Sequence, residues 1–239
     1  MGWILLIIVV LLVVGIAIFI QTAPQFGQSP EGEDLERISQ SPNYGDGEFL
    51  NLTETKMGSF KEMMGTMPNF LFGKNQNPKN PIPTRFGEGE SAPVDSACYV
   101  TWYGHSAFLI EMDGQRILID PMLGKVAAPV FFGTKRWLYQ QPIPLEKITS
   151  IDAVILSHDH YDHLDYPSIK TLKDRVGHFY TALGVGSHLK RWGVAQEKIT
   201  ELDWWESAPL GTISLKATPA RHFSGRGIGD QKKHNGPVG

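Results

Sequence analysis

His158, His160 and His163 fall with Asp162 inside six residues, in the pattern H-x-H-x-D-H. Imidazole nitrogens and carboxylate oxygens at this density are metal ligands by type, suited to zinc, iron or manganese. In extended chain alternate side chains point the same way, so His158 and His160 can grip one ion while the following turn swings Asp162 and His163 towards a second. A histidine-rich surface loop can also collect metal adventitiously, and a lone histidine is more often structural than a ligand. Four potential ligands directly after an apolar run favour the built site, and His222 is a further candidate downstream. The single cysteine, Cys98, excludes an internal disulfide and a multi-cysteine zinc site, so any metal must rest on histidine and carboxylate.

The elements that must position these residues read as strands and helices in alternation. Residues 99–103 and 107–112 are β-rich, and Asp113-Gly114 is a two-residue hairpin signal leading into 116–119. An irregular connection over 121–144, with Pro, Gly and aromatics, has the character of a loop bordering a pocket. The apolar run 151–156 is a buried strand that delivers the histidine cluster. Pro167 then opens a helix with Ile169, Leu172 and Val176 on one stripe, ended by Gly177. A second strand-helix unit covers 179–181 and 185–192, closed by Gly193, and 199–202 is another short strand. Residues 212–218 alternate as a half-buried strand with Ile213, Leu215 and Ala217 on one face, and His222 follows its end.

The N-terminal part has a different composition. Residues 3–20 are all apolar or glycine, and as a helix they would rise about 27 Å against a hydrocarbon core near 30 Å, enough for a single-pass transmembrane helix. Gln21-Thr22-Ala23-Pro24 is a poor signal-cleavage site. The flank after the span has Glu31, Glu33, Asp34 and Glu36 with no Lys or Arg before residue 37, which predicts an N-in, C-out anchor with the globular part extracytoplasmic. Residues 24–47, rich in Pro, Gly, Gln, Ser and acids, read as a solvated tether. Phe60, Met63, Met64 and Met67 form a short amphipathic helix before Pro68, with a face to pack on the domain or lie on lipid. Pro78, Pro81 and Pro83 mark a linker over 77–90. The expected division is an anchor at 1–20, a linker at 21–94 and a compact domain at 95–239. The net charge of −3 and the absence of a Lys/Arg block remove the footprint of a sequence-independent nucleic-acid binder.

Several segments recur in one order: Thr101-Trp102-Tyr103-Gly104-His105, Ile119-Asp120-Pro121, the histidine cluster with Leu164-Asp165-Tyr166, Asp203-Trp204-Trp205-Glu206, and Thr218-Pro219-Ala220-Arg221-His222-Phe223. Over about residues 99–227 the chain resembles the metallo-β-lactamase superfamily, and within it the branch of N-acylphosphatidylethanolamine-hydrolysing phospholipase D. The resemblance implies an α/β protein of the αββα type and zinc, one or two ions, with His158, His160 and His222 on the first and Asp162 and His163 on the second. Asp162 would also act catalytically, orienting a metal-bound hydroxide that attacks a phosphodiester of a membrane lipid. Asp120 reads either as a partner fixing a ligand imidazole or as a strand-end turn before Pro121. His105 reads as a structural histidine or a site residue, and Trp204 and Trp205 as core or pocket wall. The family builds its site from two ββα-type halves, so the chain is expected to hold the N-terminal half only. The second site would then be incomplete, an apolar sheet face bare, and Asp230 and His234 part of a disordered tail. Rival readings are a hydrolase of a small ester, lactone or phosphate on the same fold, and a non-catalytic metal-binding membrane fragment.

Overall fold

A computed structural model describes residues 2–53, 59–74, 77–85, 98–141, 143, 145 and 148–226. The chain opens with helix α1 (Gly2–Thr22), apolar on every side and with no buried residue. At 21 residues it is long and apolar enough to cross a membrane. Helix α2 (Glu33–Ser39) and the two short strands β1 (Tyr44–Gly45) and β2 (Glu48–Phe49) follow. Helix α3 (Phe60–Phe72) starts at a capping box in which the Ser59 hydroxyl accepts from the Glu62 N–H and the Glu62 carboxylate reaches back to the Ser59 N–H. It runs on through Pro68 rather than stopping before it. Met63 and Met64 are about half exposed, so the expected apolar face is open to its surroundings there.

The sheet that carries the chemistry has the order β3-β4-β5-β6-β7-β8. Strands β3 (Tyr99–Gly104), β4 (Ala107–Met112) and β5 (Gln115–Ile119) form an antiparallel meander. Strands β6 (Ile151–Leu156), β7 (Val176–Ala182) and β8 (Ile199–Leu202) then add in parallel. Helices α4 (Tyr166–Leu172) and α5 (Gly186–Arg191) make the crossovers. Asp165 caps α4 by accepting from the Ser168 N–H at 3.1 Å. One core lies between the sheet and these helices, built on Leu118, Val154, Leu156, Ile169, Leu172, Phe179 and Leu189.

Three expectations are corrected here. Val176 and Gly177 do not end a helix: α4 stops at Leu172, one short helical turn intervenes, and both residues lie in β7. A β-carbon at Gly177 would stand 2.8 Å from the carbonyl oxygen of Asp152 in the neighbouring strand, so glycine serves a close strand approach rather than a helix stop. The apolar sheet face is not left bare, because strands β9 (Ser207–Leu210) and β10 (Ile213–Lys216) pair as a hairpin over it. Ala208 and Leu210 are buried there with Ile117, Ala153 and Tyr180. A cavity of about 290 Å³ remains beneath the hairpin, lined by Ile155, Tyr180, Leu202 and Leu215 and reaching Ser157.

The third correction is to the solvated tether over 24–47. Ile38 is fully buried and packs with Phe49 and Leu183, with Tyr44 alongside. The polar residues around it have partners in the domain. The Ser41 hydroxyl and the Asn43 amide donate to the Asp203 carboxylate, the latter at 3.0 Å, and Arg37 donates to the Glu201 carbonyl at 2.8 Å. Hydrogen bonding to acceptors in the domain, and one isoleucine in a pocket, hold a segment whose composition alone lacks a core pattern. The boundary placed at residue 95, and Asp230 and His234, lie outside the described residues.

Candidate metal centre

The site forms at the carboxyl ends of β3, β5 and β6, where the chain leaves the sheet, the usual place for a ligand on such a sheet. His105 follows β3, Asp120 follows β5, and Ser157–His163 follow β6. Two of these exits are conformationally demanding, since His105 (φ 51°) and Asp120 (φ 41°) both adopt the left-handed region that non-glycine residues rarely occupy. His222 comes in from the segment after β10.

Two donor groups result. In the first, His158 Nε2 lies 3.0 Å from His160 Nδ1, and His222 Nε2 lies 3.2 Å from the same atom. The second holds His105, Asp162 and His163, with His105 Nε2 2.9 Å from Asp162 Oδ2 and His163 Nε2 at 3.8 Å from it. Within each group one ligand atom per residue lies within 4.8 Å of the others, close enough to share an ion. The two groups sit side by side, the His158 and His163 rings having centroids 4.1 Å apart.

Which nitrogens are free for a metal follows from the partners of the others. Asp120 is buried, and its carboxylate accepts from the Ser157 N–H at 2.8 Å and the Ser157 hydroxyl at 2.7 Å. With its proton on Asp120, the Ser157 oxygen is left to accept from His158 Nδ1 at 2.9 Å, which directs the lone pair of His158 to Nε2, towards His160. Asp120 also accepts from His163 Nδ1 at 2.8 Å, which directs the lone pair of His163 to Nε2, towards Asp162. One carboxylate and one hydroxyl thus orient an imidazole in each group. Asp120 does both things its position allowed, closing a strand-end turn and holding a ring.

The electrostatics suit cation binding. Burial, and then the neighbouring His163, push the pKa of His158 down to about 3, and burial lowers that of His160 as well, so both rings are neutral donors at ordinary pH. Burial works to raise the Asp162 carboxyl, but His163, a backbone hydrogen bond and His105 bring it below its ordinary value. Burial disfavours charge on His163, and the hydrogen bond and charge of Asp120 reverse this and raise its pKa. The neutral His158 and His160 rings and the ionised Asp162 carboxylate, with Asp120 offsetting charge on His163, fit a divalent ion in chemistry and spacing.

Beneath the loop, Asp159 is fully buried and accepts from the Gly225 N–H at 2.8 Å. The buried Arg226 guanidinium donates to the carbonyls of Asp159 and Leu164, at either end of the ligand loop, and to that of Gln25. It also lies over the Tyr161 ring at 4.1 Å. Arg226 carries no signal in the sequence, since a cation among glycines offers no periodicity to notice. Ser157 was likewise unassigned; its place between strand end and first histidine was the available signal. Trp204 is buried, whereas Trp205 is exposed beside Lys216.

Alanine at Asp120 removes the acceptor that orients His163 and, through Ser157, His158. The Asp120→Ala protein is expected to bind zinc about 10–100-fold more weakly, as lost outer partners of ligating histidines generally do. Competition against a chromophoric chelator measures this, and unchanged affinity would mean that the rings are held by other contacts.

An uncharacterized protein of Mycobacterium tuberculosis is 39% identical over 194 residues, covering 78% of this chain and 51% of that protein. The N-acyl-phosphatidylethanolamine-hydrolyzing phospholipase D 1 of Caenorhabditis elegans is 30% identical over 145 residues, 57% of this chain and 41% of the relative. A metal-dependent hydrolase of Hyperthermus butylicus is 31% identical over 133 residues, 54% of this chain and 52% of the relative. The chain spans about half the length of these curated relatives. The model of the beta-lactamase superfamily domain matches residues 115–239, more than half of the chain and inclusive of His158, His160, Asp162, His163 and His222, so the chain belongs to the beta-lactamase superfamily.

Proposed function

We propose that the protein is a zinc-dependent hydrolase that cleaves phosphodiesters of the N-acylphosphatidylethanolamine type. The observation that carries this reading is the pair of adjacent donor groups built around the loop after β6, with His158, His160 and His222 in one and His105, Asp162 and His163 in the other. When bound, two such ions supply Lewis-acid charge, which acidifies a water and stabilises developing charge on phosphoryl oxygens. The chain's own part is orientation and proton handling. Asp120 and Ser157 fix the rings, and Asp162, an ionised carboxylate in the second group, would orient the attacking water and take its proton. A cavity of about 300 Å³, lined by Trp102, His105, Met122, Arg136, Trp137 and Asp162, opens beside the second group and offers both aromatic walls and positive charge. The phospholipase D relative supports the lipid substrate, and α1 would hold the enzyme in the same membrane as a single-pass anchor, with the globular part extracytoplasmic.

The test is to reconstitute the full chain in vesicles containing N-acylphosphatidylethanolamine and to follow release of phosphatidic acid with zinc and after chelation. Zinc-dependent release supports the proposal. Opening of a lactone or cleavage of a soluble phosphodiester without lipid turnover would replace the substrate class, and no hydrolysis of any of the three at full zinc loading would overturn the reading. Protease protection of the globular part in intact cells would overturn the topology.

A further inference from the structure

Residues 125–136 form an arm whose tip lies outside the donor groups and whose foot borders the cavity beside them. Its two sides are joined by the Ala127 N–H to the Thr134 carbonyl at 2.8 Å and the Arg136 N–H to the Lys125 carbonyl at 3.0 Å, with Val126 bridged to Lys135. A turn closed from the Gly133 N–H to the Val130 carbonyl makes the tip. The sequence of the arm is Lys-Val-Ala-Ala-Pro-Val-Phe-Phe-Gly-Thr-Lys-Arg: apolar at the tip, cationic at both feet, with no acid anywhere. Phe131 is 84% and Phe132 72% exposed, and their rings meet edge to face at 5.2 Å. Two adjacent phenylalanines kept together in water at a loop tip are an unusual use of apolar surface.

The position of the arm says what could cover it. The end of α1 is fastened to the domain: Arg191 donates to the Thr22 carbonyl at 3.1 Å and Trp192 to that of Pro24 at 2.7 Å. The next residue, Gln25, donates its side-chain amide to the Pro129 carbonyl in the arm at 2.9 Å. Two residues lie between Thr22 and Gln25 and one between Pro129 and Phe131, so with the Gln25 side chain and its hydrogen bond included the path from helix end to arm tip is at most roughly 30 Å. Phenylalanines beyond a collar of lysine and arginine are the composition that enters a headgroup layer, with the rings at the acyl boundary and the cations on lipid phosphates.

We propose that this arm inserts into the headgroup layer of an anionic bilayer, the same bilayer that α1 enters. The inference rests on the anchor reading of α1. Its consequence for the site is direct, because Arg136 at the foot of the arm and Trp137 just past it line the cavity that also holds His105 and Asp162. Insertion therefore brings the mouth of that cavity to the lipid surface, so a phosphodiester headgroup has a short path to the donor groups.

The experiment uses the full chain in vesicles of phosphatidylcholine and phosphatidylglycerol, with the exposed Cys98 replaced by serine. A fluorescent label is placed either at Phe132→Cys or, as control, at Glu197→Cys, an exposed position just before β8 at the other end of the sheet. Quenching by a shallow nitroxide lipid is expected to be about threefold or more greater at 132 than at 197, as for a side chain at the acyl boundary. Equal quenching in protein that survives an alkaline wash overturns the arm and leaves the anchor standing. Strong quenching at 132 in protein that the wash removes overturns the anchor and leaves the arm. A label at 132 shielded from aqueous iodide without lipid means that protein covers the tip, and overturns the proposal.

Discussion

Alanine at position 160 should leave the protein folded and membrane-bound, and lower phosphodiester hydrolysis by at least about 10³-fold, the order expected when a metal-supplied nucleophile is lost. His160 Nδ1 is the atom on which the first donor group converges, 3.0 Å from one imidazole nitrogen and 3.2 Å from the other. Without it His158 and His222 remain, and catalytic zinc ordinarily needs three protein ligands. Bound metal should fall by about half in the same preparation, since His105, Asp162 and His163 are untouched. His178→Ala is the comparison: His178 pairs with Thr200 across β7 and β8, away from the site, and its loss should change turnover by no more than about twofold. Retained activity in His160→Ala with full metal loading would remove the first group from the chemistry.

Alanine at Arg226 is expected to cost about 3–5 kcal/mol of stability, the range for breaking a buried charge network from one side. Three carbonyls lose a charged donor at once, those of Asp159, Leu164 and Gln25. Burial works to raise the Asp159 carboxyl, and His188, the Gly225 N–H and, least, Arg226 bring it below its ordinary value, so one of its counter-charges is lost. Lysine at 226 keeps the charge but cannot reproduce three differently aimed N–H groups, so it should recover only part of the loss. Denaturant unfolding in detergent micelles gives the comparison, and a loss below about 1 kcal/mol, the level of an ordinary surface change, would show that the loop holds its shape without the guanidinium.

The ligand loop was legible because its chemistry is contiguous. Three histidines and an aspartate in one turn need no tertiary structure to be noticed, and the strand before them announces itself by its apolar run. Asp120 and His105 were ambiguous for the opposite reason: each matters through a residue 57 or fewer positions away that only strand order brings near. Strand β9 went unread because Pro209 lowers any strand reading, although on a hairpin edge its missing N–H is harmless. The attachment of segment 24–47 is hidden from its composition for a thermodynamic reason. Its attachment uses one buried isoleucine and a set of polar side chains whose partners, Asp203 and Glu201, lie more than 150 residues on, so no local pattern could reveal it.

That attachment also bears on how such a protein could be turned over at a membrane. Proteases that release ectodomains cut in extended, accessible chain between a membrane helix and a folded body. Here the carbonyls of Thr22, Pro24 and Gln25 are all engaged by domain side chains, and the backbone N–H of Gln28 is bonded to His188 at 3.0 Å. A cut at this junction would first require local unfolding of the strap beneath the metal loop. If α1 is a membrane anchor, shedding would have to break the Gln25 contact of Arg226, the same guanidinium that holds both ends of the ligand loop, before it freed the domain.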